Sequence, residues 1–384
     1  MNDFTYSIVT EKNCESLCVK ELKNRFGVVA SANKGFVDFC ASNEEALRVA
    51  YFSQSATRVL LKIGSGSFND LDDLLLKIGS DLKNNDAWFS LLSNTFKSSC
   101  SRLGVHDFNS VIVEQEVSNV VRKEIISKGG SSTPDYKSRE LVFFVLINDD
   151  NYLLGVDFMG KDLSKRHYLI FNNPNAIKGT IAFNLLLFSG FEPGMVLLDG
   201  FALAGVIPIE AAIYEKGASV NLFSKDFLFP LKLKDINESL LSKFDSEVQE
   251  FKKSGNIFSC DASFPNLAAQ KKNSRIAGVE KNISFARVDI ANLDIKNFSK
   301  EIDVACSRIL EVSKHVPESR VVKAYNDFFV AAKEFLGKKG SVNVIVRVPD
   351  LLEEIAKKHG FKVKDKLETA QGQQVFFFVK LVKY

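Results

Sequence analysis

The 384-residue chain is 46% apolar and 25% charged, with a formal net charge of +3. That composition fills more than one hydrophobic core and excludes a disordered, collagen-like or uniformly basic nucleic-acid-coating chain. Residues 1–175 hold 20 Lys and Arg against 22 Asp and Glu, and the remainder 30 against 25, so any RNA footprint must be local. Six cysteines without a CxxC pair or a zinc spacing fit buried thiols in a reducing cytoplasm, and no metal site is expected. The first residues lack a basic stretch followed by an apolar one, and no apolar run reaches the ~18 residues of a membrane span. A cytoplasmic protein without membrane association is the expectation.

In chain order, Phe4–Val9 reads as a strand, 14–26 as a helix stopped by Gly27, and 28–32 with 35–40 as a hairpin-like pair around Asn33-Lys34. A helix over Asn43–Phe52 and a strand over 58–63 complete a β-α-β-β-α-β order, the ferredoxin-like signature. Gly64-Ser65-Gly66-Ser67 reads as a joint. A second small α/β region follows, with helices over 69–84 and Ser110–Ser127. Its strands fall over 88–97, 140–148 and Asn151–Asp157, with a polar turn over 98–107. Residues 158–175 carry Lys161, Lys165, Arg166 and His167 and read as an exposed connector.

The remainder alternates strands and helices. A strongly apolar helix over 176–189 precedes Met195–Tyr214, in which a buried strand ends at Asp199 and a small-residue turn opens an Ala-rich helix. A short strand is expected over 219–223, a charged and partly helical segment over 227–255, and strands over 256–260, 283–288, 303–307 and 341–348. Helices over 262–278, 318–336 and 351–359 lie between them. The end reads as a hairpin, 361–367 with 373–382. The fold expected is α/β: a Rossmann-like parallel sheet over 176–384, closed by a β-hairpin and preceded by two smaller α/β domains at 1–65 and 66–157, with 158–175 as linker.

Asp199, Asp261 and Asp289 each end a predicted strand. In a doubly wound sheet, ligands sit at the carboxyl ends of the strands over a helix N-terminus. A carboxylate there accepts from both ribose hydroxyls of a nucleoside cofactor or from an adenine amino group. Asp is also a common turn residue, but three at successive strand ends point to a cofactor.

The motifs then carry a resemblance. Residues 199–212, DGFALAGVIPIEAA, resemble the S-adenosylmethionine loop of RNA methyltransferases, usually D-P-x-C-G-S-G-T-I-x-I-E-A. Residues 256–279 and 283–293 resemble the second and third motifs of the same family. Residues 102–110, RLGVHDFNS, resemble the R-x-G-x-H-x-F-x-S signature of THUMP domains, and 154–168, LGVDFMGKDLSKRHY, the connector that follows them. The chain is similar over most of its length to THUMP-containing tRNA and 23S rRNA guanine-N2 methyltransferases, especially archaeal tRNA enzymes. The resemblance implies S-adenosyl-L-methionine as cofactor. Asp199, Phe201 and Gly205 would lie at its methionine end, Asp261 at the ribose, and Asp289 and Ile290 around the adenine. It implies tRNA or another structured RNA as partner, with Arg102, His106, Lys161, Lys165 and Arg166 as phosphate contacts. For Arg102 and His106, turn stabilisation is the alternative.

Two departures stand out. The Gly-Ser-Gly of the loop is Leu203-Ala204-Gly205, which places a branched side chain where glycine would allow close backbone approach. The Asn-Pro-Pro-Tyr that follows the fourth strand, whose oxygens accept from the exocyclic amine and whose ring stacks the base, is replaced by Arg308, Ile309, Leu310 and Glu311. Arginine is a donor only. The sequence therefore supports an S-adenosylmethionine-dependent RNA methyltransferase, with a non-catalytic RNA-binding or partner-binding protein of the same fold as the alternative.

Overall fold

The computed structural model describes residues 4–137, 140–224, 238–248, 255–293, 298, 300–372 and 374–384. In order the elements are β1 (Phe4–Val9), α1 (Glu15–Glu21), β2 (Ala30–Asn33), β3 (Phe36–Ala41), α2 (Asn43–Phe52), β4 (Arg58–Ser67), α3 (Leu71–Asn84), β5 (Thr95–Leu103), α4 (Ser110–Ser127), β6 (Thr133–Pro134), β7 (Val142–Asn148) and β8 (Asn151–Asp157). The chain continues with α5 (Gly179–Ser189), β9 (Leu197–Asp199), α6 (Val206–Glu215), α7 (Glu238–Ser246), β10 (Ile257–Asp261), α8 (Phe264–Ile276), β11 (Ile283–Arg287), β12 (Ile302–Arg308), α9 (Glu318–Phe335), β13 (Leu336–Val346), α10 (Asp350–Lys358), β14 (Phe361–Gln371) and β15 (Gln374–Lys383). Among the described residues, no helix is long and apolar enough to cross a membrane.

One compact unit comprises Met1–Thr10, Cys18–Leu163 and Lys225–Phe244. Its sheet has the order β2-β3-β1-β4-β8-β7-β5-β6, whose first four strands are the expected ferredoxin-like set. The joint expected at 64–67 is instead strand. β4 runs on to Ser67 and pairs with β8 from Leu60↔Asp157 to Ser67↔Asn151, with a register shift between Lys62 and Gly64. Gly64 is there for close approach, since a Cβ on it would collide with the Asp81 carboxylate. The strand expected over 88–97 lies later, as β5. Trp88 is buried and its indole donates to the Leu82 carbonyl, whereas Ser98–Leu103, read as a polar turn, pairs in parallel with Phe143–Asn148. Polar side chains do not prevent this, because the backbone groups enter the ladder and Ser98 Oγ accepts from buried Ser118 Oγ.

The other unit comprises Glu11–Leu17, Ser164–Ser224 and Asp245–Tyr384. Its sheet has the order β11-β10-β9-β12-β13-β15-β14, with β9 to β13 parallel and β15 antiparallel to both neighbours. This is the expected doubly wound sheet closed by a hairpin. The central strands are buried on both faces, so they read as continuous apolar runs. Alternation sends Leu197, Cys306 and Ile345 to the core under α5 and α6, and Leu198, Ala305 and Val344 to the core with Phe328 and Phe329 of α9. β9 is flanked by β10 and β12, so their carboxyl ends form the topological switch point.

Three local expectations fail in this stretch of chain. Residues 219–223 form a turn, not a strand, with Ser219 Oγ accepting from the Asn221 N–H. The connector 158–175 is exposed only in part: Phe158, Met159, Leu163, Arg166 and Tyr168 are inside, while Lys165 and most of 170–175 are exposed. β13 begins at Leu336, where the helix was expected to end. Apart from 238–248 and 255, the charged segment expected over 227–255 lies outside the described residues.

Candidate functional site

β9 ends at Asp199, and the loop that follows is tied to β10 and α8. Leu203 has φ of +48° and Gly205 +83°. Leucine thus keeps the left-handed backbone that glycine would supply in the family loop, at a cost of roughly 1–2 kcal/mol. Its N–H donates to Asp261 Oδ2 at 3.0 Å, and its carbonyl accepts from Gln270 Nε2 at 3.2 Å. Asn273 Nδ2 donates to the Ala204 carbonyl at 3.0 Å. Gly205 must be glycine on two grounds: its φ, and Gln270, whose Cγ would lie 3.1 Å from an added Cβ.

Asp199 is buried. Its Oδ1 accepts from the Phe201 N–H at 3.1 Å and from Ser307 Oγ at 2.8 Å, and that same hydroxyl accepts from the Gly200 N–H. Burial pushes its carboxyl up to about 7, against the lowering effect of Ser307 and the Phe201 N–H. Asp261, at the end of β10, is held by several donors besides Leu203. Ser263 N–H donates to Oδ1 at 2.8 Å, and Asn266 Nδ2 reaches both oxygens at 3.1 Å. Asp289 follows β11, is exposed, and caps the Ile290–Asn292 turn through the Ala291 N–H, leaving Ile290 buried against Gly200.

The four residues in place of Asn-Pro-Pro-Tyr leave the end of β12 in separate directions. The Arg308 guanidinium donates to the Asn175 carbonyl and stands 5.1 Å from the Phe376 ring centroid. Desolvation lowers its pKa below the ordinary arginine value. Ile309 is buried. The Leu310 carbonyl accepts from Tyr325 OH at 2.7 Å. Glu311 takes the Arg347 N–H on Oε1 at 2.5 Å and Arg347 Nε on Oε2 at 3.1 Å. Oxygens near the place of the amine acceptors are therefore engaged within the protein.

These strand ends surround a cavity of about 470 Å³, within the ~300–1,000 Å³ usual for small-ligand sites. It brings together Phe201, Asp261, Asp289 and Ile290 with Arg308–Glu311. Asp199 lines a narrow crevice beside it, shared with Leu203 and Arg308, while Gly205 lines neither space. Sequence reasoning missed the residues that hold the loop. Asn266, Gln270 and Asn273 stand at i, i+4 and i+7 on α8, a polar stripe on one helix face that faces the loop instead of water.

The RNA candidates divide. Arg102 donates to His106 Nδ1 at 2.9 Å, and His106 Nε2 lies 2.7 Å from the Asp149 carbonyl. The imidazole ring is stacked on Phe68, with centroids 6.1 Å apart. Both residues therefore build the 103–107 turn. Lys165 is exposed and Lys161 half-buried. Arg166 is a correction: it is buried, with Nε 2.8 Å from Glu210 Oε1 and Nη2 3.2 Å from Oε2, and Tyr168 OH donates to the same carboxylate at 2.7 Å. A guanidinium so enclosed has no access to an RNA phosphate.

Comparison with known proteins agrees with this geometry. A tRNA (guanine(6)-N2)-methyltransferase of Methanocaldococcus jannaschii is 25% identical over 381 residues, covering 96% of this chain and 97% of the relative. The ribosomal RNA large subunit methyltransferase K/L of Vibrio parahaemolyticus is 27% identical over 306 residues, 75% of this chain and 41% of the relative, so this chain spans less than half of that protein. Among solved structures, TrmN from Thermus thermophilus superposes over the whole of both chains with a TM-score of 0.69 at 21% identity. A protein solved in complex with SAH covers 100% of this chain and 99% of its own, with a TM-score of 0.79 at 18% identity. The family described as "RMKL-like, methyltransferase domain" matches residues 166–373, the stretch that carries the β9 loop, both flanking acids and the switch-point cavity, and the chain belongs to that family.

Proposed function

We propose that the chain is an RNA methyltransferase that binds S-adenosyl-L-methionine in the switch-point cavity and methylates the exocyclic N2 of a guanine in tRNA. The observation that carries the reading is the loop. Leu203 retains the left-handed backbone, locked by Asp261 and Gln270, so the cavity of about 470 Å³ stays open where a glycine-to-leucine change threatened to fill it. The residues fit the cofactor: a buried acid beside the crevice, an acid at the next strand end, and Ile290 with Asp289 framing an apolar slot. Asp199 and Phe201 would hold the methionine end, Asp261 the ribose, and Asp289 with Ile290 the adenine, while Gly205 gives the loop its turn. When bound, the cofactor supplies an electrophilic methyl on a sulfonium. The chain's own part is to orient the amine towards the methyl group, and the proton that the methylated nitrogen sheds passes to solvent. The Ile309 backbone carbonyl occupies the sequence place of the first proline's carbonyl and is the acceptor for that amine.

The RNA would be held by the ferredoxin-like region 1–65 and a THUMP region 66–157, with 158–175 as the linker to the 176–384 domain and Lys161 and Lys165 on phosphates. The reduced thiols suit a cytoplasmic setting. The similarity to the M. jannaschii tRNA enzyme over nearly the full length of both chains supports tRNA over ribosomal RNA.

A second reading, ligand and RNA binding without transfer, is favoured by one observation: Arg308 brings only donors, and Glu311 is closed onto Arg347. The test is calorimetry with S-adenosylmethionine followed by methyl transfer to unmodified tRNA. Binding and transfer together establish the enzyme. RNA binding without transfer establishes the second reading.

A further inference from the structure

The crevice under the loop is lined by two charged side chains, Asp199 and Arg308. Around them are the Asn175–Ile177 segment and apolar or backbone groups of 201–207. Asp199 comes from the end of β9 and Arg308 from the end of β12, two adjacent strands; the crevice holds only about 10 Å³, room for no more than a water, but Arg308 also lines the cavity of about 470 Å³. Arg308 is half-buried, and its hydrogen-bond partner is the neutral Asn175 carbonyl. Among the described residues it makes no ion pair with a carboxylate. The nearby acid, Glu311, is bound by Arg347 through two hydrogen bonds. A half-buried guanidinium without a carboxylate has lost part of its hydration with no charged partner in return. It is also the side chain best shaped to receive a planar carboxylate through two N–H groups.

We propose that Arg308, on the wall of the large cavity, binds the α-carboxylate of the cofactor's amino-acid end, so that the chain selects adenosyl thioethers that carry an intact amino acid. The inference rests on the reading of this cavity as an S-adenosylmethionine site. The position that held an amine acceptor in the related motif has become a carboxylate receptor. Arg308 is thus a specificity-determining residue that acts on the cofactor's amino-acid end. The ring of Phe376 lies within cation–π distance of the guanidinium, its centroid 5.1 Å away.

The experiment is calorimetry on the purified full chain with two probes that share adenosine and a neutral sulfur. These are S-adenosylhomocysteine, which has the amino acid, and 5′-methylthioadenosine, which lacks it. Arg308→Met is expected to weaken S-adenosylhomocysteine at least tenfold and leave methylthioadenosine within twofold. Arg308→Lys, which keeps the charge without the fork, is expected to recover part of the loss. An equal loss for both probes, or a loss below twofold for S-adenosylhomocysteine, overturns the assignment of Arg308 while the cofactor site stands. If neither probe binds the unmodified chain at millimolar concentration, the cofactor reading falls and the assignment falls with it. Thermal unfolding of the ligand-free variants separates misfolding from lost recognition, and full rescue of a misfolding Arg308→Met by Arg308→Lys in stability but not in binding also counts against the proposal.

Discussion

Leu203 donates its backbone N–H to Asp261 Oδ2 at 3.0 Å while standing at φ +48°. The side chain that threatened to block the loop belongs to a residue whose backbone is held in the shape glycine would take. The cost of that shape, roughly 1–2 kcal/mol, is offset by bonds to Asp261 and Gln270. Leu203→Gly removes the strain and the side chain that lines the cavity together. It is expected to raise cofactor affinity several-fold by calorimetry with little change in unfolding midpoint, because glycine's greater unfolded-state freedom offsets the relief. Unchanged affinity would mean that Leu203 does not narrow the site.

Asp199 makes a prediction in pH. Its carboxyl is raised to about 7 in the folded chain, from 3.8. The folded state therefore keeps a proton that the unfolded state loses between about pH 4 and 7, and stability falls as pH rises through that window, by up to about 4 kcal/mol. Asp199→Asn, which keeps an oxygen for Ser307 and the Phe201 N–H, is expected to flatten that fall. Denaturant unfolding at pH 5 and pH 8 measures it. A cationic α-ammonium favours the ionised carboxylate, so ligand affinity should weaken as pH drops below 7 in the unmodified chain and lose this dependence in the variant.

The Arg166–Glu210 pair is buried on both sides, with side-chain exposures of 1% and 0%. Arg166→Met takes the guanidinium away from the buried Glu210 carboxylate. It is expected to lower stability by about 3–5 kcal/mol, read by urea unfolding, while RNA affinity measured below the transition stays unchanged. Gly179→Ala probes the same spot, since the new Cβ would collide with both Arg166 and the Glu210 carboxylate. A cost of about 1–3 kcal/mol follows from overpacking. An RNA-specific defect in either variant would return Arg166 to the RNA-binding residues.

Lys161 and Lys165 carry the complementary expectation. A double alanine variant should weaken binding to structured RNA uniformly across sequences. The slope of log affinity against log salt should fall by roughly 0.7–0.9 for each phosphate that is no longer neutralised. An unchanged slope removes both lysines from the RNA footprint.

What could be read in advance follows the reach of each signal. Strand-ending acids are local: a run of apolar residues stopping at Asp199 or Asp261 marks both the strand and the side chain at its end, and the structure keeps both at the switch point. The stripe Asn266, Gln270, Asn273 was present in the sequence, but a polar helix face ordinarily signifies water. Only the packing of α8 beside the loop made it a set of partners for backbone groups.

Glycine and arginine were the residues misread. Gly64 and Gly66 have the composition of a hinge, and the close approach of Asp81 that requires Gly64 comes from the following helix. Lys165 and Arg166 are neighbours with the same charge, yet one is exposed and the other enclosed, because Glu210, on a helix far along the chain, supplies a buried partner for only one of them.

The sequence by itself determined the order of strands and helices, the doubly wound sheet with its closing hairpin, and the acids of the site, since these depend on hydrophobic period and on residues adjacent in the chain. The tertiary structure alone decided that Leu203 leaves the loop in its glycine-like form, that Arg166 is structural, and that Arg308 lines the cavity bonded to the Asn175 carbonyl. Each of these is fixed by a partner brought from a distant strand or helix, and burial sets the cost of every charge left without one.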